Sequence, residues 1–129
     1  MIIRVDNGLP LATAELVFQG RKIILDNVLI DIGCAVTIFD TDVMAEIGVT
    51  IDFVNGIPTT MYGVGGKGEV CNQQKVSGLY IDGQLLNDFH LQLGMVQDMY
   101  GFDGLLGIDF MLETGILLDF KNLTTDYSF

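Results

Sequence analysis

An aspartate set at the end of an apolar run and followed almost at once by a glycine constrains this chain more than any other feature: Val28-Leu29-Ile30-Asp31-Ile32-Gly33. Val28 to Ile30 reads as a buried strand. An ionisable group delivered to such a place costs several kcal/mol, roughly, unless its pKa moves or something pairs with it. Other Asp-Gly pairs, Asp82-Gly83 and Asp103-Gly104, lie in ordinary turn contexts. The chain contains only one Asp-x-Gly in this setting, and a carboxyl placed there needs a partner or a task.

The rest of the chain predicts a β-rich domain around that aspartate. Ala12, Ala14, Leu16 and Phe18 alternate with Thr13, Glu15, Val17 and Gln19, the period-2 pattern of a half-buried strand. Gln19-Gly20-Arg21-Lys22 turns that strand into Ile23-Ile24-Leu25, and Asp26-Asn27 breaks the run before Val28. Cys34 to Phe39 reads as a further apolar strand. A short helix is expected near 41–47, capped by Asp40 or Thr41 and stopped by Gly48. Gly63, Gly65, Gly66 and Gly68 between strand-like arms predict a hairpin with a glycine-rich tip. Asp82-Gly83 makes another hairpin turn. Phe89-His90-Leu91-Gln92-Leu93 alternates strictly, which puts His90 and Gln92 together on an exposed polar face. Leu105-Leu106 reads as a buried strand, and Asp109 as the cap of a helix near 109–114 ended by Gly115. Ile116–Phe120 and Leu123–Tyr127 read as terminal strands joined by Lys121-Asn122.

Composition narrows the function. The 129 residues fit one domain, 1–129, with no linker, repeat or low-complexity tract. Half of them are hydrophobic and the mean hydropathy is +0.46, too apolar for a disordered acidic chain. No uninterrupted apolar run approaches the ~18 residues of a membrane span, so no membrane partner is expected. Met1-Ile2-Ile3-Arg4-Val5-Asp6 lacks the apolar core of a secretory leader, and the expected location is cytoplasmic. Seventeen acidic against six basic residues leave a net charge of −11, the wrong sign for nucleic acid. Cys34, Cys71 and the lone His90 have no metal-ligand spacing, so neither a metal nor a cofactor is expected and both cysteines read as free thiols.

Three segments occur in a telling order: Leu29-Ile30-Asp31-Ile32-Gly33-Cys34-Ala35, then Gly63-Val64-Gly65-Gly66, then Gly104-Leu105-Leu106-Gly107-Ile108-Asp109-Phe110. This order resembles the retropepsin-like aspartic proteases, single-domain homodimeric relatives of pepsin, and particularly their bacterial members. The resemblance runs from about Pro10 to Phe120. It implies an all-β fold, a closed acid-protease barrel with a glycine-tipped flap hairpin. It implies further that Asp31 is the catalytic carboxylate and that Gly33 admits the substrate backbone. Tyr62, Gly63, Val64, Gly65 and Gly66 would cover a peptide or protein substrate, and Ile32 and Cys34 would sit in the active-site loop at the dimer contact. Asp109 would be a structural, helix-opening residue.

Chemistry explains why such an enzyme is a homodimer. Two carboxylates close enough to share a proton act together, one as base on water and the other as hydrogen-bond donor to the scissile carbonyl. A chain with one such aspartate supplies half of that pair, and two-fold symmetry supplies the other. This chain departs from the family at two positions. Ile32 stands where the family carries Thr or Ser, whose hydroxyl braces the two active-site loops, and Cys34 stands where alanine is usual. Two rival readings therefore accompany the enzyme: a catalytically silent dimer of the same fold that binds extended peptides, and an unrelated acidic β-barrel interaction module.

Overall fold

The computed structural model describes residues 1–62 and 68–127. Twelve strands and three short helices follow one another along them. In chain order the strands are β1 (Ile2–Asp6), β2 (Leu9–Phe18), β3 (Arg21–Ile30), β4 (Ile38–Asp40), β5 (Ile57–Tyr62), β6 (Gly68–Val76), β7 (Leu79–Ile81), β8 (Gln84–Leu86), β9 (Phe89–Gly94), β10 (Gly104–Leu106), β11 (Ile116–Asp119) and β12 (Thr124–Tyr127). The helices are α1 (Thr41–Ala45), α2 (Val96–Tyr100) and α3 (Ile108–Thr114).

The long hairpin β2–β3 is the backbone of the fold. Its turn residues Gln19 and Gly20 both take positive φ, 49° and 79°, as a tight two-residue hairpin turn requires. Asp26-Asn27 does not end a strand. Leu25 pairs with Ala14 and Val28 with Ala12, so Asp26 and Asn27 together face the single residue Thr13. The break in the apolar pattern is a β-bulge inside one continuous strand. Arg4 reaches across to the Asp26 carbonyl and the Asn27 side chain, and Asp103 accepts from the Asn27 N–H at 3.1 Å, which together hold the bulge.

The sheet is not closed. Its pairing path runs β11-β12-β1-β2-β3-β10-β4-β9-β6-β5, with β7 and β8 attached at β2, and its two end strands do not pair with each other. The expected closed barrel is thereby corrected. The reason lies in β2, which changes neighbour along its length: Leu9–Thr13 pair with β1, and Leu16–Phe18 pair with β7. The sheet forks there, and each arm covers its own apolar cluster. The main core gathers Ala14, Leu16, Leu25, Val28, Phe39, Met44, Leu79, Ile81, Leu91, Leu106 and Phe110. A smaller one holds Ile3, Ala12 and Ile30 beneath the terminal strands, with Met111, Leu118 and Leu123 packed against it. The apolar face is buried by folding the sheet over, without joining its ends.

Two local readings change. Strand β4 starts only at Ile38, so Cys34 to Thr37 form a loop instead of the expected strand. On β9, His90 is exposed, but Gln92 is 1 % exposed. Burial is tolerated because both ends of its amide are bonded: Thr59 Oγ1 donates to its Oε1 at 2.6 Å, and its Nε2 donates to Gln73 Oε1 at 2.9 Å.

Candidate active site

Strand order places Asp31. Strands β3 and β4 are consecutive in sequence, yet β10 lies between them, parallel to β3 and antiparallel to β4. The connection 31–37 must therefore pass over the end of β10, where α3 begins. The Asp31 N–H extends the β3–β10 pairing by one bond to the Leu106 carbonyl, at 3.0 Å. Strand and carboxylate are thus delivered together to the mouth of that crossing.

The loop is shaped by its own aspartate. Asp31 Oδ1 accepts the Gly33 N–H at 3.0 Å, and the Asp31 carbonyl accepts the Cys34 N–H at 3.1 Å. Asp31 is half-buried, whereas Ile32 keeps 67 % of its surface exposed. A side chain at position 33 would start only 3.3 Å from the Asp31 carboxylate, so glycine leaves the oxygen approachable.

A clamp that sequence reasoning missed holds the loop on α3. Thr37 is fully buried; its Oγ1 donates to Asp109 Oδ1 at 2.7 Å and accepts the Gly107 N–H at 3.1 Å, while its own N–H donates to Asp109 Oδ2 at 3.0 Å. The Ile108 N–H reaches the Cys34 carbonyl at 2.8 Å. The contact is so close that a Cβ at Gly107 would meet Val36 backbone atoms at 2.7 Å. Asp109 is therefore a loop anchor; the residue in the capping position of α3 is Gly107, which corrects the expected cap. A lone hydroxyl within the apolar run Ala35–Phe39 was the available signal for Thr37.

Strands β5 and β6, the arms expected to carry a flap, pair in register from Ile57–Gln73 to Tyr62–Gly68. Gly63, Val64, Gly65 and Gly66 lie outside the described residues. Met61, Glu69 and Cys71 share one face, by cross-strand pairing and by period 2. That face meets a third apolar cluster, Ile38, Cys71 and Val96, against which Met61, Phe102 and Leu105 pack. Tyr62 lies on the opposite face, 73 % exposed, with its ring next to Gly68. Helix α2, for which the sequence held no clear signal, stands beside β6 and donates a 3.3 Å hydrogen bond from the Tyr100 hydroxyl to Glu69.

Both thiols are held in the protonated form at neutral pH. Burial pushes the Cys34 thiol up, and the negative charges of Asp31 and Asp109 push it further. Burial does the same for Cys71. A thiol held in its neutral form is a poor nucleophile. Among the described residues, no group of three or more His, Cys, Asp or Glu side chains comes together to hold a metal ion, and no helix is long and apolar enough to cross a membrane.

No family model and no curated protein matches this chain. Among solved structures, it is similar to the retroviral protease-like domain of Ddi1 from Leishmania major, with a TM-score of 0.59 at 11 % identity over 92 % of this chain and 88 % of that one. The chain thus has a mostly β, retropepsin-like fold.

Proposed function

We propose that this protein is an aspartic endopeptidase that works as a homodimer, each chain contributing Asp31 to a water-activating pair of carboxylates. The observation that carries this reading is the Asp31 loop. An aspartate at the end of a central strand is held by its own loop and by the Thr37–Asp109 clamp, with glycine beside it and no cation paired to it among the described residues. The retropepsin-like neighbour supports the same reading at the level of fold.

In the proposed mechanism a peptide lies extended between the flap and the two Asp31 loops. One carboxylate takes a proton from water as it attacks the scissile carbonyl, while the protonated partner donates to the carbonyl oxygen. The proton then passes to the amide nitrogen as the C–N bond breaks, releasing the amine and the new carboxyl terminus. Gly33 gives the substrate backbone room, and the Thr37–Asp109 clamp restrains the loop so that the geometry survives substrate binding.

A second reading has its own support. Ile32 is an exposed aliphatic residue where the resemblance leads one to expect a hydroxyl, and an aliphatic contact fixes no direction. A silent dimer of this fold would still bind extended peptides by strand addition. Replacing Asp31 with Asn separates the readings: the enzyme loses turnover of a peptide library, whereas the silent binder shows none to lose and keeps its ligand.

A further inference from the structure

We infer that the peptide taken by this cleft carries a lysine or arginine close to its apolar centre, and that Glu69 is the residue that selects it. This inference rests on the reading of the cleft as a peptide site and adds the class of peptide. Glu69 lies on β6 directly opposite Met61, and Met61 packs on the Ile38–Cys71–Val96 cluster, so Glu69 projects from the inner face of the flap hairpin toward α2. It is half-buried there, and its hydrogen-bond partner is the Tyr100 hydroxyl at 3.3 Å. That partner is neutral: partial desolvation and the adjoining Glu69 carboxylate both push the Tyr100 phenol up.

No basic side chain of the described residues pairs with Glu69; the two ion pairs among them join Met1 to Asp82 and Lys22 to Glu15. The described segments 31–40, 57–62, 68–72 and 94–114 contain no Lys, Arg or His; Lys75, the basic residue of β6, lies toward the other end of that strand, opposite His90, and Asp98 adds a further carboxylate, on α2. The immediate neighbours are apolar in their bulk: Met61 lies directly opposite on β5, and the Tyr100 ring, 55 % exposed, stands beside Glu69 on α2. A half-buried carboxylate beside apolar side chains favours a long cationic side chain, whose methylene stem lies along Met61 and the Tyr100 ring while its charged end reaches Glu69. An acidic residue at the same place meets like charge and is rejected.

The experiment uses the full chain carrying Asp31→Asn, so that turnover does not consume the probe. The probes are fluorescein-labelled decapeptides with a Leu-Phe centre and a single Lys or a single Glu scanned through the flanking positions. Anisotropy titrations are run on three proteins: Asp31→Asn alone, the same with Glu69→Lys, and the same with Glu15→Lys. Glu15, on β2 and several strands away, makes the same change in net charge and so controls for long-range attraction. At one or two positions the Lys peptide is expected to bind about tenfold more tightly than its Glu counterpart, with the preference lost or reversed in Glu69→Lys and kept in Glu15→Lys. Equal binding of both peptides, or an equal response to the two charge reversals, overturns the role of Glu69 while leaving a peptide cleft in place. If no peptide binds at all, the peptide-site reading falls and this inference falls with it.

Discussion

Replacing Thr37 with valine tests the architecture of the site without touching Asp31. Valine keeps the shape and the branching but removes a hydroxyl that is fully buried. Two bonds go with it: the 2.7 Å donation to Asp109 and the 3.1 Å acceptance from Gly107 N–H. A hydrogen bond to a charged group is worth about 1.5–3 kcal/mol, and a buried N–H left unpaired costs about 1–3 kcal/mol. Allowing for partial relaxation, the loss is about 3 kcal/mol, a large fraction of the ~5–15 kcal/mol that holds a domain together. Thr37→Ser keeps both bonds and loses one methyl group, about 1 kcal/mol. Urea unfolding followed by tryptophan-independent far-UV circular dichroism, with equal slopes required for a valid comparison, reads both changes. In melting temperature the valine protein is expected to fall by about 10 °C and the serine protein by a few degrees. A valine variant within about 1 kcal/mol of the parent would refute the clamp.

Four further outcomes follow from the same account. Ile32→Thr restores a hydroxyl at an exposed loop position, and peptidase activity is expected to rise by up to about a hundredfold over a weak or undetectable parent, read by a paired casein or peptide-library assay with Asp31→Asn as blank; no gain over a clearly active parent counts against this reading of Ile32. Statine-type inhibitors are expected to bind and chelators to leave activity unchanged; inhibition by a chelator would remove the aspartic mechanism. Each chain carries −11, so dimerisation, measured by light scattering at tens of micromolar (an order-of-magnitude choice for a weak interface), is expected to strengthen with added salt. Burial and Asp82, whose carboxylate accepts from the Tyr127 hydroxyl at 2.8 Å, push the Tyr127 phenol well up. The fold therefore prefers the neutral phenol. That contribution is complete below the ordinary tyrosine range near pH ~10 and is lost as the pH rises beyond it. Stability of the parent should fall more steeply above that pH than that of Tyr127→Phe, and parallel curves would contradict the assignment.

What the sequence disclosed, and what it hid, divides along physical lines. The Gln19-Gly20 turn and the apolar alternation of β2 were legible because a local conformational demand selects those residues. The buried strand Val28–Ile30 that leads to Asp31 was legible as an unbroken apolar run. Asp26-Asn27 was legible as an irregularity but not as a bulge, since a bulge exists only relative to the partner strand. Gln92 was misplaced because period 2 tells the face but not whether that face is covered; Thr59 and Gln73 satisfy its amide and let it be buried. The open, forked sheet and the Thr37–Asp109 anchor both depend on pairings between distant segments, and a single sequence holds no direct record of those. Helix α2 is five residues long and has no side-chain cap, so no periodicity announced it.

The central claim, one catalytic pair built from two chains, is tested most directly by mixing subunits. Intact Asp31 chains carrying Ile32→Thr are combined with chains that carry both Ile32→Thr and Asp31→Asn, re-equilibrated at constant total concentration, and assayed on one peptide. If both aspartates are needed, activity follows the square of the intact fraction, so an equal mixture retains about a quarter of the full rate. Activity that falls in direct proportion, to about half, would mean that each chain works alone, and that result, like the absence of any Asp31-dependent turnover, would contradict the account.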